Sequence, residues 1–202
     1  MAFHGSPVRV LVIPGLRGSG PAHWQTWLQG HFSKRATRVE QDDWAAADLA
    51  AWSARIAATL AEAPPGPWVA VAHSFGCLAL AHHLLATPPA HAEDGIRAAL
   101  LVAPADPSRF QLDDAPLQQR LRVPATLVAS DTDPWMSADR AAGFARAWGS
   151  GFVNLGDAGH INADAGFGPL PPAKKLTEFL IHRVEQSRRP ERAHLHEFSF
   201  AV

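Results

Sequence analysis

The stretch Val69-Ala-Val-Ala-His-Ser-Phe-Gly-Cys77 runs from a short apolar segment into small helix-forming residues, with Ser74 at the junction. An apolar strand that stops on a serine and continues as a helix describes a nucleophile elbow, the sharp turn that lifts a hydroxyl above a sheet. Such a turn is tight, so the positions two before and two after the serine must be small, and they are Ala72 and Gly76. Alanine in place of the first glycine relaxes the Gly-x-Ser-x-Gly pattern, and a serine at this position is also an ordinary helix cap for a helix starting at Phe75. A hydroxyl near neutral pH is a poor nucleophile that needs a base for its proton and donors for the oxyanion it creates. The choice between cap and nucleophile therefore rests on the rest of the chain.

Outward from this segment, short β-branched runs alternate with longer Ala-rich and Leu-rich stretches. The runs predict about six strands, at Val8 to Ile13, Thr37 to Gln41, Trp68 to Ala72, Ala98 to Val102, Ala125 to Ala129 and Phe152 to Asn154. Helices are predicted between them at Ala22 to Phe32, Ala46 to Ala61, Phe75 to Leu85, Ala138 to Ala147 and Pro172 to Gln186. A βα repeat with right-handed crossovers is an α/β fold, a doubly wound, mostly parallel sheet with helices on both faces. Pro64-Pro65-Gly66-Pro67, Pro88-Pro89 and Pro171-Pro172 punctuate it where elements change. The residues from Pro104 to Arg122 carry weak periodicity and many turn formers, an excursion above the sheet rather than an inserted cap domain. With 202 residues, 47% of them hydrophobic, the chain has enough apolar surface for one core. Residues 1–187 are expected to form one domain and 188–202 a tail without a clear period.

Eighteen Lys plus Arg against 19 Asp plus Glu leave a formal charge of −1, which gives neither nucleic acid nor an anionic membrane a reason to bind. No apolar run approaches membrane-spanning length, and Met1-Ala-Phe-His-Gly-Ser-Pro7 lacks a basic segment followed by an apolar one. A cytoplasmic protein acting on a small molecule is expected. The single cysteine, Cys77, has no internal disulfide partner and is read as helix packing.

In α/β sheets ligands bind beyond the carboxyl ends of the strands, and two further strand ends carry chemistry. After the fifth comes Ala129-Ser-Asp-Thr-Asp-Pro134, and after the sixth Gly156-Asp-Ala-Gly-His-Ile-Asn162. Serine, acid and histidine thus follow in the chain order of the α/β-hydrolases. His160 would take the Ser74 proton and return it to the leaving group, while the acid holds the imidazole. Asp131 and Asp133 compete for that last role, and Asp133 is favoured because the loop has left the strand by then and Pro134 fixes the turn behind it. Among 11 histidines, His31, His82 and His83 are helical, His91 lies in a loop behind the sheet, and His194 and His196 belong to the tail. His73 adjoins Ser74, and neighbouring side chains at a sharp turn point apart, so it is expected to pack beneath the elbow.

The first strand runs into a glycine-rich loop, Val12-Ile-Pro-Gly-Leu-Arg-Gly-Ser-Gly-Pro-Ala-His-Trp24. In such hydrolases that loop supplies one oxyanion N–H and the residue after the nucleophile the other, which here are Leu16 and Phe75. A phosphate loop would need a lysine that is absent, and Gly15, Gly18 and Gly20 miss the dinucleotide spacing. No residue grouping has metal-ligand spacing, so no cofactor and no metal are expected. Trp24, Trp27, Trp44 and Trp135 cluster near these loops, where together they would wall an apolar acyl pocket.

Five separated motifs in order then carry a resemblance: Pro14-Gly-Leu-Arg-Gly-Ser-Gly-Pro-Ala-His-Trp-Gln25, Val39-Glu-Gln-Asp-Asp-Trp44, Val71-Ala-His-Ser-Phe-Gly-Cys77, Ala129-Ser-Asp-Thr-Asp-Pro134 and Ala158-Gly-His-Ile-Asn-Ala163. From Val8 to about Phe179 the chain resembles small serine hydrolases related to retinoblastoma-binding protein nine. The resemblance implies a compact α/β-hydrolase with Ser74 as nucleophile, Asp133 as acid and His160 as base, which selects Asp133 over Asp131. The expected activity is cleavage of a small ester, or less readily an amide, through an acyl-enzyme. The alternative, suggested by the family's name, is a protein-binding module that keeps the hydrolase fold and acts through a protein partner.

Overall fold

The computed structural model describes residues 6–87 and 94–198, with side chains through residue 188. Pro88-Pro89, His91 and the opening residues 1–5 lie outside the described residues, as do the side chains of His194 and His196.

Six strands, β1 (Arg9–Ile13), β2 (Ala36–Arg38), β3 (Pro67–Ser74), β4 (Gly95–Pro104), β5 (Ala125–Ala129) and β6 (Gly151–Asn154), form one sheet in the order β2-β1-β3-β4-β5-β6. Every neighbouring pair is parallel. Five α-helices connect or follow them: α1 (Trp24–Phe32), α2 (Leu49–Glu62), α3 (Phe75–Ala86), α4 (Ala138–Trp148) and α5 (Pro171–Phe198).

A parallel sheet covered on both faces buries consecutive residues alternately in two cores. Leu11, Ile13, Ala70, Ala72, Leu101 and Leu127 pack with α2, α3 and α4, around Trp52, Ile56, Leu78 and Phe144. Val10, Val12, Val69, Val71, Leu100 and Val128 point the other way, onto Trp24 and Leu28 of α1 and Leu180 and Val184 of α5. The small residues of α3, with Gly76, Cys77, Ala79 and Ala81 all buried, let that helix lie close to the sheet.

Element ends differ from the sequence pattern where capping decides them. Helix α1 starts at Trp24 rather than Ala22 because His23 caps it, its Nδ1 accepting from Gln25 N at 3.1 Å. Helix α2 starts at Leu49 rather than Ala46 because Asp48 accepts from Ala51 N at 3.0 Å. Strand β2 ends at Arg38, three residues before Gln41. Helix α5 continues past Gln186, its expected end, to Phe198.

The excursion between β4 and β5 is pinned rather than loose. It opens with a 3-10 turn, Pro107–Phe110, and buries Leu117 and Leu121. Trp148 Nε1 donates to Leu117 O at 2.8 Å, Leu121 N donates to Trp148 O at 3.1 Å, and Arg140 of α4 pairs with both Asp106 and Asp114. Among the described residues no helix is long and apolar enough to cross a membrane.

Candidate active site

Strand β3 turns into α3 at Ser74, whose backbone is forced to φ 54° and ψ −127°. Positive φ is costly for a residue with a Cβ, about 1–3 kcal/mol, and such strain persists only where the surroundings impose it. They do so here by close approach: a Cβ on Gly76 would run into the carbonyl oxygens of Ile13 and Pro14. Ser74 stands at the N-cap position of α3, yet its side chain makes no capping hydrogen bond. Its hydroxyl lies instead 2.8 Å from His160 Nε2.

His160 Nδ1 is 2.9 and 3.0 Å from the two carboxylate oxygens of Asp133. A carboxylate accepts, so the imidazole proton sits on Nδ1 and the Nε2 lone pair faces the Ser74 hydroxyl. Both partners are shielded, the His160 side chain being 8% exposed and that of Asp133 2%. Trp135 N donates to Asp133 Oδ1 at 2.8 Å, which fixes the carboxylate. Asp131 faces away and accepts from Asn154 Nδ2 at 2.6 Å.

The loops that carry the acid and the histidine are tied to each other. Ser130 Oγ donates to Gly156 O and accepts from Ala158 N, while Thr132 Oγ1 donates to Asp157 and accepts from Gly159 N. These bonds fix the spacing of Asp133 and His160 independently of the pair itself.

His73 lies beneath, with its Nε2 donating to His160 O at 3.0 Å and its ring 4.9 Å from that of His160. Burial above all, with His160 and His23 close by, holds the His73 imidazole well below its ordinary value. His23 packs edge-on against His73, 4.8 Å between centroids. Burial, then Arg38 and His160, push its pKa down to about 4. Both rings are therefore uncharged near neutrality.

A cavity of about 520 Å³ opens over Ser74 and His160, walled by Leu16, His23, Phe110 and Trp135 among others. The glycine-rich loop forms one side, and Gly15 approaches Ser74 so closely that a Cβ there would stand 2.7 Å from the serine Cβ. Phe75, the first residue of α3, is fully buried between Trp52 and Phe110. Phe75 opens α3, where a helix's first N–H groups have no intrahelical acceptor.

Of the four tryptophans expected to wall the pocket, Trp135 alone lines it. Trp24 is core, its Nε1 donating to Ile161 O at 2.8 Å, Trp27 packs beside that core, and Trp44 packs edge-on against Trp52. The indoles that follow β1 and β2 are drawn into the two cores because an apolar helix face or loop base is already beside them. Sequence reasoning missed His23 and Phe110 as lining residues, and it missed Gln25 of α1. Fully buried, Gln25 donates to Ile13 O and Val71 O and accepts from Ser19 Oγ at 2.6 Å, bracing both ends of the glycine-rich loop. A polar residue on the face shared by Trp24, Leu28 and Phe32 was the available signal. Among the described residues no three His, Cys, Asp or Glu side chains gather as a metal site.

The serine hydrolase family profile matches residues 10–178. A crystal structure described as a YdeN-like hydrolase from Pectobacterium atrosepticum is 40% identical, has a TM-score of 0.78, and covers 86% of this chain and 91% of its own. The ydeN gene product of B. subtilis, at 19% identity and TM-score 0.70, covers 88% of this chain and 100% of its own, a likeness of fold. The same holds for a propionate-bound thermophilic esterase from the planctomycete Thermogutta terrifontis, with 17% identity, TM-score 0.60 and coverage of 88% and 84%. No curated protein sequence matches. The six-stranded parallel sheet, the uncapped strained serine at its third strand end and the family match agree: this chain is a hydrolase enzyme belonging to the serine hydrolase family, with the α/β-hydrolase fold.

Proposed function

We propose that the protein cleaves a small carboxylic ester by two-step acyl transfer on Ser74. The observation that carries this reading is the hydroxyl of a helix-capping serine left out of the cap and held 2.8 Å from His160 Nε2. Oγ attacks the ester carbonyl carbon as its proton passes to His160 Nε2, and the C=O π pair moves onto oxygen. The N–H groups of Leu16 and Phe75 face that oxyanion, with the N-terminus of α3 adding its dipole. When the C=O re-forms, the bond to the alcohol oxygen breaks and that oxygen takes the proton from His160. Asp133 keeps the imidazole in the right tautomer and stabilises its cation. Water then gives a proton to His160, attacks the acyl carbon, and Ser74 recovers its proton as the carboxylic acid leaves.

A fluorophosphonate probe reports this chemistry directly. It is expected to label the native protein and not Ser74→Ala, with thermal unfolding used to verify that the variant is folded. Equal labelling of both proteins sinks the assignment.

A further inference from the structure

Trp135 is 39% exposed and Phe110 stands beside it, their planes parallel within 5° and their centroids 6.2 Å apart. Both line the cavity over Ser74. An isolated exposed indole needs no explanation, but this one is fixed by several neighbours. The Arg109 guanidinium lies 5.4 Å from the Trp135 ring centroid and donates to Trp135 O at 3.2 Å and to Pro134 O. Trp135 N is bound to Asp133, and Phe110 is locked edge-on against Phe75 at 5.0 Å. The segment bearing Arg109 and Phe110 is itself anchored to α4 through Asp106, Asp114 and Arg140. Rigid aromatic surface facing a cavity binds flat apolar groups with little ordering cost.

Its position selects the end of the substrate it meets. The leaving oxygen receives its proton from His160 Nε2, so the group it carries starts beside that ring. Trp135 lies 5.9 Å from the His160 ring, whereas the Gly15-Leu16 loop approaches Ser74 from the side assigned to the carbonyl oxygen. Resting on the acyl-transfer reading above, we propose that Trp135 and Phe110 form a subsite for the alcohol portion and that the esters this protein prefers carry an aromatic alcohol. The excursion between β4 and β5 thereby has a role: it carries half of the subsite.

The test compares kcat/KM for 2-naphthylmethyl acetate and ethyl acetate, whose alcohols leave with similar ease. The native protein is expected to favour the naphthylmethyl ester by about tenfold or more, the worth of a well-packed aromatic contact. Trp135→Leu should reduce that ratio mainly through KM, and Trp135→Phe should restore part of it. Phe110→Leu reads the same ratio should Trp135→Leu fail to fold. An unchanged ratio in the folded variants overturns the subsite, and so does a loss confined to the acyl side, measured with ethyl 2-naphthylacetate against ethyl acetate. A native protein that takes the fluorophosphonate label but shows no preference defeats the subsite alone. One that neither labels nor hydrolyses defeats the acyl-transfer reading and the subsite with it.

Discussion

Gly15 and Ser74 are in such close contact that a Cβ on the glycine would stand 2.7 Å from the serine Cβ and 3.3 Å from its Oγ. Ser74 is fixed by the strained turn, so relief must come from the loop, at the expense of its bracing by Gln25. Gly15→Ala is therefore expected to push the loop off the elbow, lowering stability by about 1–3 kcal/mol, the usual cost of overpacking. Misplacing an oxyanion donor by as little as 1 Å should also slow the reaction about a hundredfold. Thermal unfolding and the rate of fluorophosphonate labelling measure the two effects, and a fully active Gly15→Ala would remove Leu16 from the proposed oxyanion site.

Asp131 and Asp133 make the sharpest paired comparison. They differ by two positions, yet Asp133 meets His160 Nδ1 and Asp131 meets Asn154 on the outside. Asp133→Asn is expected to cost about 10⁴-fold in kcat, because an amide can favour the wrong imidazole tautomer. Asp131→Asn should stay within about twofold of the native rate, as a surface change away from the site. Comparable losses in the two variants would overturn the role assigned to Asp133.

The fold was legible where strands are compact apolar runs, as in β1, β3, β4 and β5, and less so at β2, which is only Ala36-Thr37-Arg38. Ser74, Asp133 and His160 stand at three strand ends, where local sequence and topology say the same thing. Gln25 and Phe110 were not legible for the opposite reason. Gln25 finds Val71 O across 46 positions of sequence, and Phe110 finds Phe75 and Trp135 through tertiary packing, so nothing in their own neighbours announces the contact. The tryptophans show the same limit, since an indole reads alike in sequence whether it ends in the core, as Trp24 does, or on the cavity wall, as Trp135 does. Cys77 shows the converse. Its reading as helix packing needs only its place on the small-residue face of α3, where burial pushes the thiol pKa up.

Gln25 links that buried packing to the reaction. Its side chain satisfies two backbone carbonyls and one hydroxyl at a position with no access to water. Gln25→Leu conserves much of the volume but leaves Ile13 O, Val71 O and Ser19 Oγ short of a partner. Orphaning buried polar groups should cost at least about 2 kcal/mol in urea unfolding. The labelling rate should fall as well, since the glycine-rich loop loses the brace at both ends. A destabilised variant that labels at the native rate would confine Gln25 to folding.

The buried histidines set how stability responds to acid. In the unfolded chain a histidine takes its proton near pH 6.5, but folded His23 does so only at about pH 4, and His73 well below the ordinary value. Above pH 6.5 both are neutral in either state and folding carries no penalty from them. As pH falls through that value the unfolded chain binds protons that the folded chain refuses, so stability declines towards pH 4. At pH 5 the loss from His23 alone is about 2 kcal/mol. Urea unfolding of Ser74→Ala, which removes any effect of turnover, is expected to show this decline between pH 7 and pH 5. His23→Asn keeps an oxygen able to cap Gln25 N while removing the titrating ring, and its stability should fall less over the same interval. A decline as steep as in the parent would mean that His23 carries a proton in the folded protein at pH 5.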